Sequence, residues 1–304
     1  MKTYQIPVPT FDLGHTLDCG QVLRWKKIGD WWYGIVDESV IKIKQNDGKL
    51  LFHTRSEEKG IEFIKDYFRL GDDLPSILSQ IDKDEKIKKA LQKFYGLRIV
   101  RQDPWECLIS YICATYKNIP AIKDMIFNLS KKFGQKINFG DYDFYTFPGP
   151  STLTKAGLNE LRNCGLGYRA KYVLETSRRI NNNEFDLESL RKLNYRDAKK
   201  RLISKGQGRK LLPGVGQKVA DCVLLFSLDK LDAFAVDVRV KRAILKFYSQ
   251  HFDRSFVEKV SGKRSITDKE YETINAFGRN YFGNYAGYAQ QYLFYYERSL
   301  GGKR

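Results

Sequence analysis

The hydrophobic period of this chain changes near residue 100, and that change limits the folds open to it. Ahead of it, Val40-Ile41-Lys42-Ile43-Lys44 alternates apolar and basic residues, Asn46-Asp47-Gly48 supplies a turn, and Leu50-Leu51-Phe52 resumes an apolar run. Period two interrupted by such a turn predicts a β-hairpin, with Trp31-Trp32-Tyr33-Gly34-Ile35-Val36 as a neighbouring strand. Ile61, Ile64 and Phe68 then recur at helical spacing, as do Ile87, Leu91 and Phe94. From Asp103 onward the signals are almost all helical. Asp103-Pro104 has the form of an N-cap followed by proline in the first turn, and further helices are expected near 119–133, 168–180, 194–204, 217–228, 238–250, 268–280 and 285–298. The expected fold is α+β, with an N-terminal antiparallel-sheet domain over residues 1–98 and an all-α domain over 99–304. Helices 57–68 and 84–94 could pack against either part.

The chain has 304 residues with a 42% apolar share, enough to bury about three quarters of the area exposed by the unfolded chain. That excludes disorder and makes disulfide or zinc support unnecessary. Lys and Arg number 53 against 36 Asp and Glu, a formal charge of +17. Five cysteines, Cys19, Cys107, Cys113, Cys164 and Cys222, lie scattered without CxxC spacing, so neither a zinc module nor a disulfide framework is indicated. Residues 1–7 lack the apolar stretch of a signal peptide, and no run is long enough to span a bilayer. We expect a cytoplasmic protein without membrane attachment, nucleoid-associated if prokaryotic. Its charge then suits a nucleic acid, the alternative being an ordinary basic surface.

The densest signal is Leu211-Leu212-Pro213-Gly214-Val215-Gly216-Gln217-Lys218-Val219-Ala220-Asp221-Cys222. Two glycines around one apolar residue, between helical patterns, make a tight hairpin with uncovered backbone N–H groups. Opening onto a helix N-terminus, such a turn can hold a phosphate. Lys199, Lys200, Arg201, Lys205, Arg209 and Lys210 precede it and favour an anionic backbone. Lys218 lies in the first helical turn, where the helix dipole disfavours a cation. Partial burial there favours the free amine, the form that attacks carbon and builds a Schiff base; otherwise Lys218 is a solvated surface lysine. Nineteen residues on, Asp237 opens the next helical pattern. It can be an N-cap contributing about 1 kcal/mol, a carboxylate supporting a cationic sugar-like transition state, or both.

These residues carry a resemblance. The hairpin with Lys218, followed by Val236-Asp237-Val238, resembles the helix-hairpin-helix (HhH-GPD) DNA glycosylases that use a lysine nucleophile and a downstream aspartate, and among them the 8-oxoguanine DNA glycosylase/lyases. Leu17-Asp18-Cys19-Gly20-Gln21-Val22-Leu23-Arg24-Trp25 resembles the family segment whose glycine carbonyl accepts the N7 hydrogen of 8-oxoguanine. Gly165-Leu166-Gly167-Tyr168-Arg169-Ala170 resembles the wedge in which a tyrosine and an arginine fill the duplex gap. Gln290 and Phe294 match the glutamine that reads the base edge and the aromatic stacked on it, and Cys222 the cysteine on the other side of the base. Taken singly, Gly20 could be a strand-end glycine, Tyr168 a packing aromatic, Gln290 a surface residue and Cys222 a small core residue.

The departures are equally informative. In Ala114-Thr115-Tyr116-Lys117-Asn118-Ile119-Pro120-Ala121 only Asn118 remains of the family's asparagine run, and Ala121 stands at the arginine position, which implies weak discrimination for cytosine opposite the lesion. Arg239 replaces a common histidine, and an Arg239–Glu297 pair is expected. No cysteine follows Cys222, so the iron–sulfur cluster of the endonuclease III relatives is not expected. The resemblance implies a monomer acting on double-stranded DNA containing 8-oxoguanine, with Lys218 and Asp237 in the chemistry. Gly20, Gln290, Phe294 and Cys222 would stand on the base, and Tyr168, Arg169, Asn118, Gly214, Val215, Gly216 and Arg239 on the DNA. It implies no required cofactor and, at most, a structural cation at the hairpin. The alternatives are a glycosylase for another damaged base and a non-catalytic DNA-binding module.

Overall fold

A computed structural model of the chain describes residues 2–36, 38–55, 60–206 and 209–301. Five antiparallel strands, β1 (Lys2–Pro7), β2 (Trp25–Ile28), β3 (Trp31–Val36), β4 (Ser39–Asn46) and β5 (Lys49–Thr54), form one sheet in the order β1-β5-β4-β3-β2. The β4–β5 turn sets Asp47 and Gly48 at φ 48° and 69°, the left-handed pair that a two-residue hairpin requires. Ile41, Ile43, Leu50 and Phe52 face inward and are buried against Trp25, Ile64 and Phe68. Ile64 comes from α2 (Ile61–Tyr67); α1 (Leu13–Asp18) lies between β1 and β2. Positions 57–59 of the helix expected at 57–68 lie outside the described residues.

Between the sheet and the helical body the two cores interleave along the chain: Leu74 already joins the helical core, and Val100 still joins the sheet core. Helices α3 (Leu74–Ile81) and α4 (Glu85–Lys93) bury Leu74, Ile77, Ile81, Ile87 and Leu91 in the helical core, and Tyr281 donates to Asp84 at 2.9 Å. That core is completed by α5 (Pro104–Cys113), α6 (Ile119–Phe133), α7 (Pro150–Thr154), α8 (Leu158–Leu161), α9 (Arg169–Asn181), α10 (Tyr195–Leu202), α11 (Gln217–Ser227), α12 (Val238–Phe247), α13 (Arg254–Ser261), α14 (Asp268–Phe282) and α15 (Ala286–Leu300). The expected cap at Asp103 is formed, accepting from Glu106 N at 2.7 Å, and Asn118 caps α6 as well, accepting from Ala121 N at 3.0 Å. One interruption of the helical region, the hairpin β6 (Lys136–Phe139) with β7 (Tyr142–Tyr145), packs on the outer face of the sheet, where Phe144 stacks on Tyr33 at 5.9 Å. No described helix is long and apolar enough to cross a membrane.

The two parts are joined by Gln21, which is buried. Its amide donates to Thr16 O and Arg98 O at 2.9 and 2.8 Å and accepts from Val100 N at 3.0 Å, while its carbonyl accepts from Gln102 at 2.9 Å. Within the sheet the tightest fit is at Gly34, where a Cβ would stand 2.3 Å from the Trp25 ring. Gly34→Ala is expected to lower stability by about 1–3 kcal/mol through overpacking. Equilibrium urea unfolding checks this, and an unchanged midpoint contradicts it.

Candidate active site

The loop after α1 and the helical body enclose a cleft of about 2060 Å³. A small-molecule pocket holds roughly 300–1,000 Å³, so the cleft is sized for a segment of a macromolecule.

The hairpin expected at 213–216 forms one edge. Gly214 sits at φ +84°, and a Cβ there would press within about 3 Å of Tyr172 and Ile112, so this approach is open only to glycine. Val215 is buried and anchors the turn in the core, with Val215 N on Leu212 O at 3.2 Å and Thr176 Oγ1 on Pro213 O at 3.1 Å. Gly214 and Gly216 line the cleft. Gly216 caps α11 without a side-chain hydrogen bond from any described residue, so the first-turn N–H groups face the cleft as a potential anion site.

Lys218 projects from that turn into the cleft, its Nζ 4.8 Å above the Tyr111 ring. No carboxylate of a described residue lies within 4.0 Å of the amine. Tyr111 is itself fixed, donating to Gln21 O at 3.3 Å and stacking on Phe226 at 5.6 Å. The lysine is thus held by an aromatic face, with no carboxylate among the described residues paired to its amine.

Asp237 both caps α12, accepting from Val240 N at 2.8 Å, and lines the cleft. Part of the residue opens to the cleft, yet its carboxyl is enclosed deeply enough that burial raises its pKa against the opposing pull of the Val240 amide and Lys218. The segment leading to it is secured from behind. Asn275 donates to Phe234 O at 2.8 Å, and Val236 N donates to Tyr271 Oη at 3.2 Å. Both partners converge on Asp221, which is fully buried: Tyr195 and Tyr271 hydroxyls donate at 2.6 Å, Asn275 at 3.0 Å, and Lys199 pairs at 3.1 Å. Sequence reading missed this network. An acidic residue in the otherwise apolar run Val219–Phe226 was the available signal, since a buried charge requires partners.

Across the cleft stand the residues expected on a base. Gly20 has φ +97°, and a Cβ would meet Ile119 Cδ1 at 3.0 Å and Phe294 Cε1 at 3.3 Å. Gln291 donates to Cys19 O at 3.2 Å and Arg298 to Asp18 O at 2.6 Å, so α15 holds the loop bearing Gly20 against its own Phe294. Gln290 is buried, and its Oε1 has no hydrogen-bond partner among the described residues. An unpaired buried acceptor costs about 1–3 kcal/mol, which a ligand donor would remove. Cys222 lines the cleft, its thiol pushed up to about 12 by burial, with Lys218 pulling it down. At neutral pH it is a neutral apolar wall and not a thiolate nucleophile.

The expected DNA contacts are placed unevenly. Tyr168 is exposed at the cleft and Asn118, besides capping α6, lines it. Arg169 differs from expectation: it is buried, donates to Thr115 O and Leu166 O, and holds its guanidinium 4.4 Å over the Tyr168 ring. It braces the tyrosine and does not itself protrude. Arg239 lines the cleft and pairs with the buried Glu297 at 3.3 Å as expected. In the basic stretch, Lys199 is buried between Asp221 and Glu272, so it cannot grip phosphate, whereas Lys200, Arg201 and Lys205 are exposed. The side chains of Arg209 and Lys210 lie outside the described part.

A hairpin-presented lysine sharing a cleft with a partly enclosed aspartate, in a helical body carrying a small sheet domain, defines a helix-hairpin-helix base-excision protein. Residues 3–108 match the family described as 8-oxoguanine DNA glycosylase, N-terminal domain, and residues 109–260 the HhH-GPD superfamily base excision DNA repair protein. The chain belongs to the HhH-GPD superfamily and, within it, to the 8-oxoguanine DNA glycosylases. It is 31% identical to N-glycosylase/DNA lyase OGG1 of Arabidopsis thaliana, over 92% of this chain and 75% of that one, and 30% identical to N-glycosylase/DNA lyase of Saccharomyces cerevisiae, over 95% and 84%. Among solved structures, Clostridium acetobutylicum 8-oxoguanine glycosylase/lyase, in complex with double-stranded DNA containing cytosine opposite 8-oxoguanine, superposes with a TM-score of 0.83 at 34% identity, covering 96% of this chain and 93% of that one.

Because burial raises the Asp237 pKa in the folded state, ionising it costs free energy at neutral pH. That cost fades once the pH is low enough to protonate the group in both states. Asparagine caps a helix as well as aspartate does. Asp237→Asn is therefore expected to melt at a higher temperature than the parent at pH 7, with the gap narrowing toward pH 4; a lower Tm at pH 7 contradicts this.

Proposed function

We propose that this chain excises 8-oxoguanine from duplex DNA as a bifunctional N-glycosylase and AP lyase of base-excision repair, acting as a monomer at chromosomal DNA, with Lys218 as nucleophile and Asp237 as its carboxylate partner. The single observation that carries the reading is Lys218, free of any ion pair among the described residues and opening onto the same cleft as an enclosed carboxyl and an unpaired glutamine acceptor.

The target nucleotide must leave the stack, at a cost of a few kcal/mol, because C1′ is unreachable inside a duplex. Amides of Gly214 and Gly216, with Val215 as anchor, bind a backbone phosphate; Tyr168, braced by Arg169, enters the gap; Asn118 and Arg239 face the DNA from the cleft walls. The extruded base lies between Phe294 and Cys222, with the Gly20 carbonyl and the Gln290 amide on its polar edges. The Lys218 amine attacks C1′, forming a C–N bond as the glycosidic pair of electrons leaves with the base. Charge developing on the sugar is stabilised by the Asp237 carboxylate. Sugar ring opening yields a Schiff base, loss of a C2′ proton expels the 3′ phosphate, and hydrolysis returns the amine.

The reading requires no organic cofactor. A cation at the hairpin would be held by main-chain carbonyls of residues 212–216. Leu212 O and Pro213 O already accept one hydrogen bond each and keep one lone pair, so the turn fits such an ion without reserving a full site for it.

With Ala121 where the family's arginine stands, discrimination for cytosine opposite the lesion is expected to be weak. Single-turnover excision from duplexes carrying 8-oxoguanine opposite each of the four bases, beside alkylated purines and oxidised pyrimidines, tests both points. Rates on 8-oxoguanine should agree within about tenfold across opposing bases and exceed those on the other lesions. A preference for cytosine above a hundredfold, or faster release of another lesion, overturns the corresponding part.

A further inference from the structure

Tyr116 takes no part in the chemistry proposed for Lys218 and Asp237, and its placement is unusual in three ways. Its side chain is 75% exposed, the most of any large apolar residue described. Its backbone stands at φ +55°, a region that bulky side chains avoid and that persists only where the surroundings impose it. It also lines the same cleft as Lys218 and Tyr168.

The constraints are visible on both sides. Ala114 ends α5 on Ser110 O at 3.0 Å, Lys117 N reaches back to Ala114 O at 3.4 Å, and Asn118 immediately caps α6. Between them, Thr115 O accepts from the buried Arg169 guanidinium, the same group that lies over the Tyr168 ring. One buried arginine thus sets the backbone beside Tyr116 and the ring of Tyr168 together. Burying a guanidinium, with its Nε unpartnered among the described residues, to hold two aromatic side chains out toward solvent makes little sense for folding. It makes sense for two rings that must present their faces to a flat partner.

We propose that Tyr116 is a second stacking residue: in the DNA complex its ring lies against the base opposite the extruded nucleotide, beside Tyr168 in the gap, and engages that base by its face and not by its hydrogen-bonding edge. This rests on the reading of the cleft as the site of a duplex with one nucleotide flipped out. A ring that stacks holds any base, which matches a chain lacking the arginine that would select cytosine.

The test is equilibrium binding of the parent, Tyr116→Phe and Tyr116→Ala to duplexes with 8-oxoguanine opposite each base and opposite a reduced abasic site, in which there is no opposing base to stack on. Tyr116→Phe should bind within about twofold of the parent everywhere. Tyr116→Ala should lose about tenfold on the four base-containing duplexes, in line with the loss of one base–aromatic stack, and match the parent on the abasic one. Equal loss on the abasic duplex, no loss on any, or a Phe variant as weak as Ala would overturn the proposal. Because the readout is a binding ratio, it decides the role of Tyr116 even if the parent fails to excise 8-oxoguanine, a failure that would count against the excision reading alone.

Discussion

The site depends on one buried carboxylate. Asp221 receives two tyrosine hydroxyls, an asparagine amide and a lysine, all at 3.1 Å or less. Burial raises its pKa, opposed first by Lys199. Removing one partner would leave a charge or a donor stranded, which is costly in a dry interior, so the three helices that supply these groups, α10, α11 and α14, are fixed together. Lys218 precedes Asp221 on α11 by one turn, and Asp237 directly follows the segment that Tyr271 and Asn275 hold through Val236 N and Phe234 O. Lys218 and Asp237, the proposed nucleophile and its carboxylate partner, are therefore positioned from one point, although no ion pair joins them. Such indirect positioning keeps the lysine unpaired while its geometry is set.

A second constraint joins the two parts of the chain. Gln21 uses both ends of its amide and its own carbonyl to lock the loop after α1 onto the helical body. The neighbouring Gly20 is thereby pressed toward Phe294 of α15, the helix that also carries Gln290. Under the proposed function, base recognition is built from uncharged groups at a seam between domains, while the exposed cations near the hairpin serve the phosphates. Affinity and selectivity are carried by different residues.

Much of this was legible in the sequence because its signals are local. Alternation and the Asn-Asp-Gly turn specify β4 and β5, the Asp103 and Asp237 caps specify where α5 and α12 begin, and the two glycines around Val215 specify the hairpin. What was hidden depends on partners far along the chain. Lys199 looked like one more cation beside the hairpin, and only Asp221 and Glu272 turn it inward. Arg169 looked like a gap filler, and only the Thr115 carbonyl, 54 residues away, draws it into a brace. The helices at 74–93 carry a plain amphipathic pattern that does not say which core they join. Gln290, readable as a surface residue, is buried because Tyr288, Tyr292 and Leu293 carry α15 into the interior.

The central claim is that the amine of Lys218 forms the covalent bond to C1′. It is tested most directly by borohydride reduction during turnover on an 8-oxoguanine duplex, followed by mass-spectrometric location of the adduct, for the parent and Lys218→Gln. The account predicts one DNA adduct on the Lys218 side chain in the parent, and neither adduct nor strand nicking in the variant. An adduct on another residue, or a Lys218→Gln protein that still traps and nicks DNA, would contradict it.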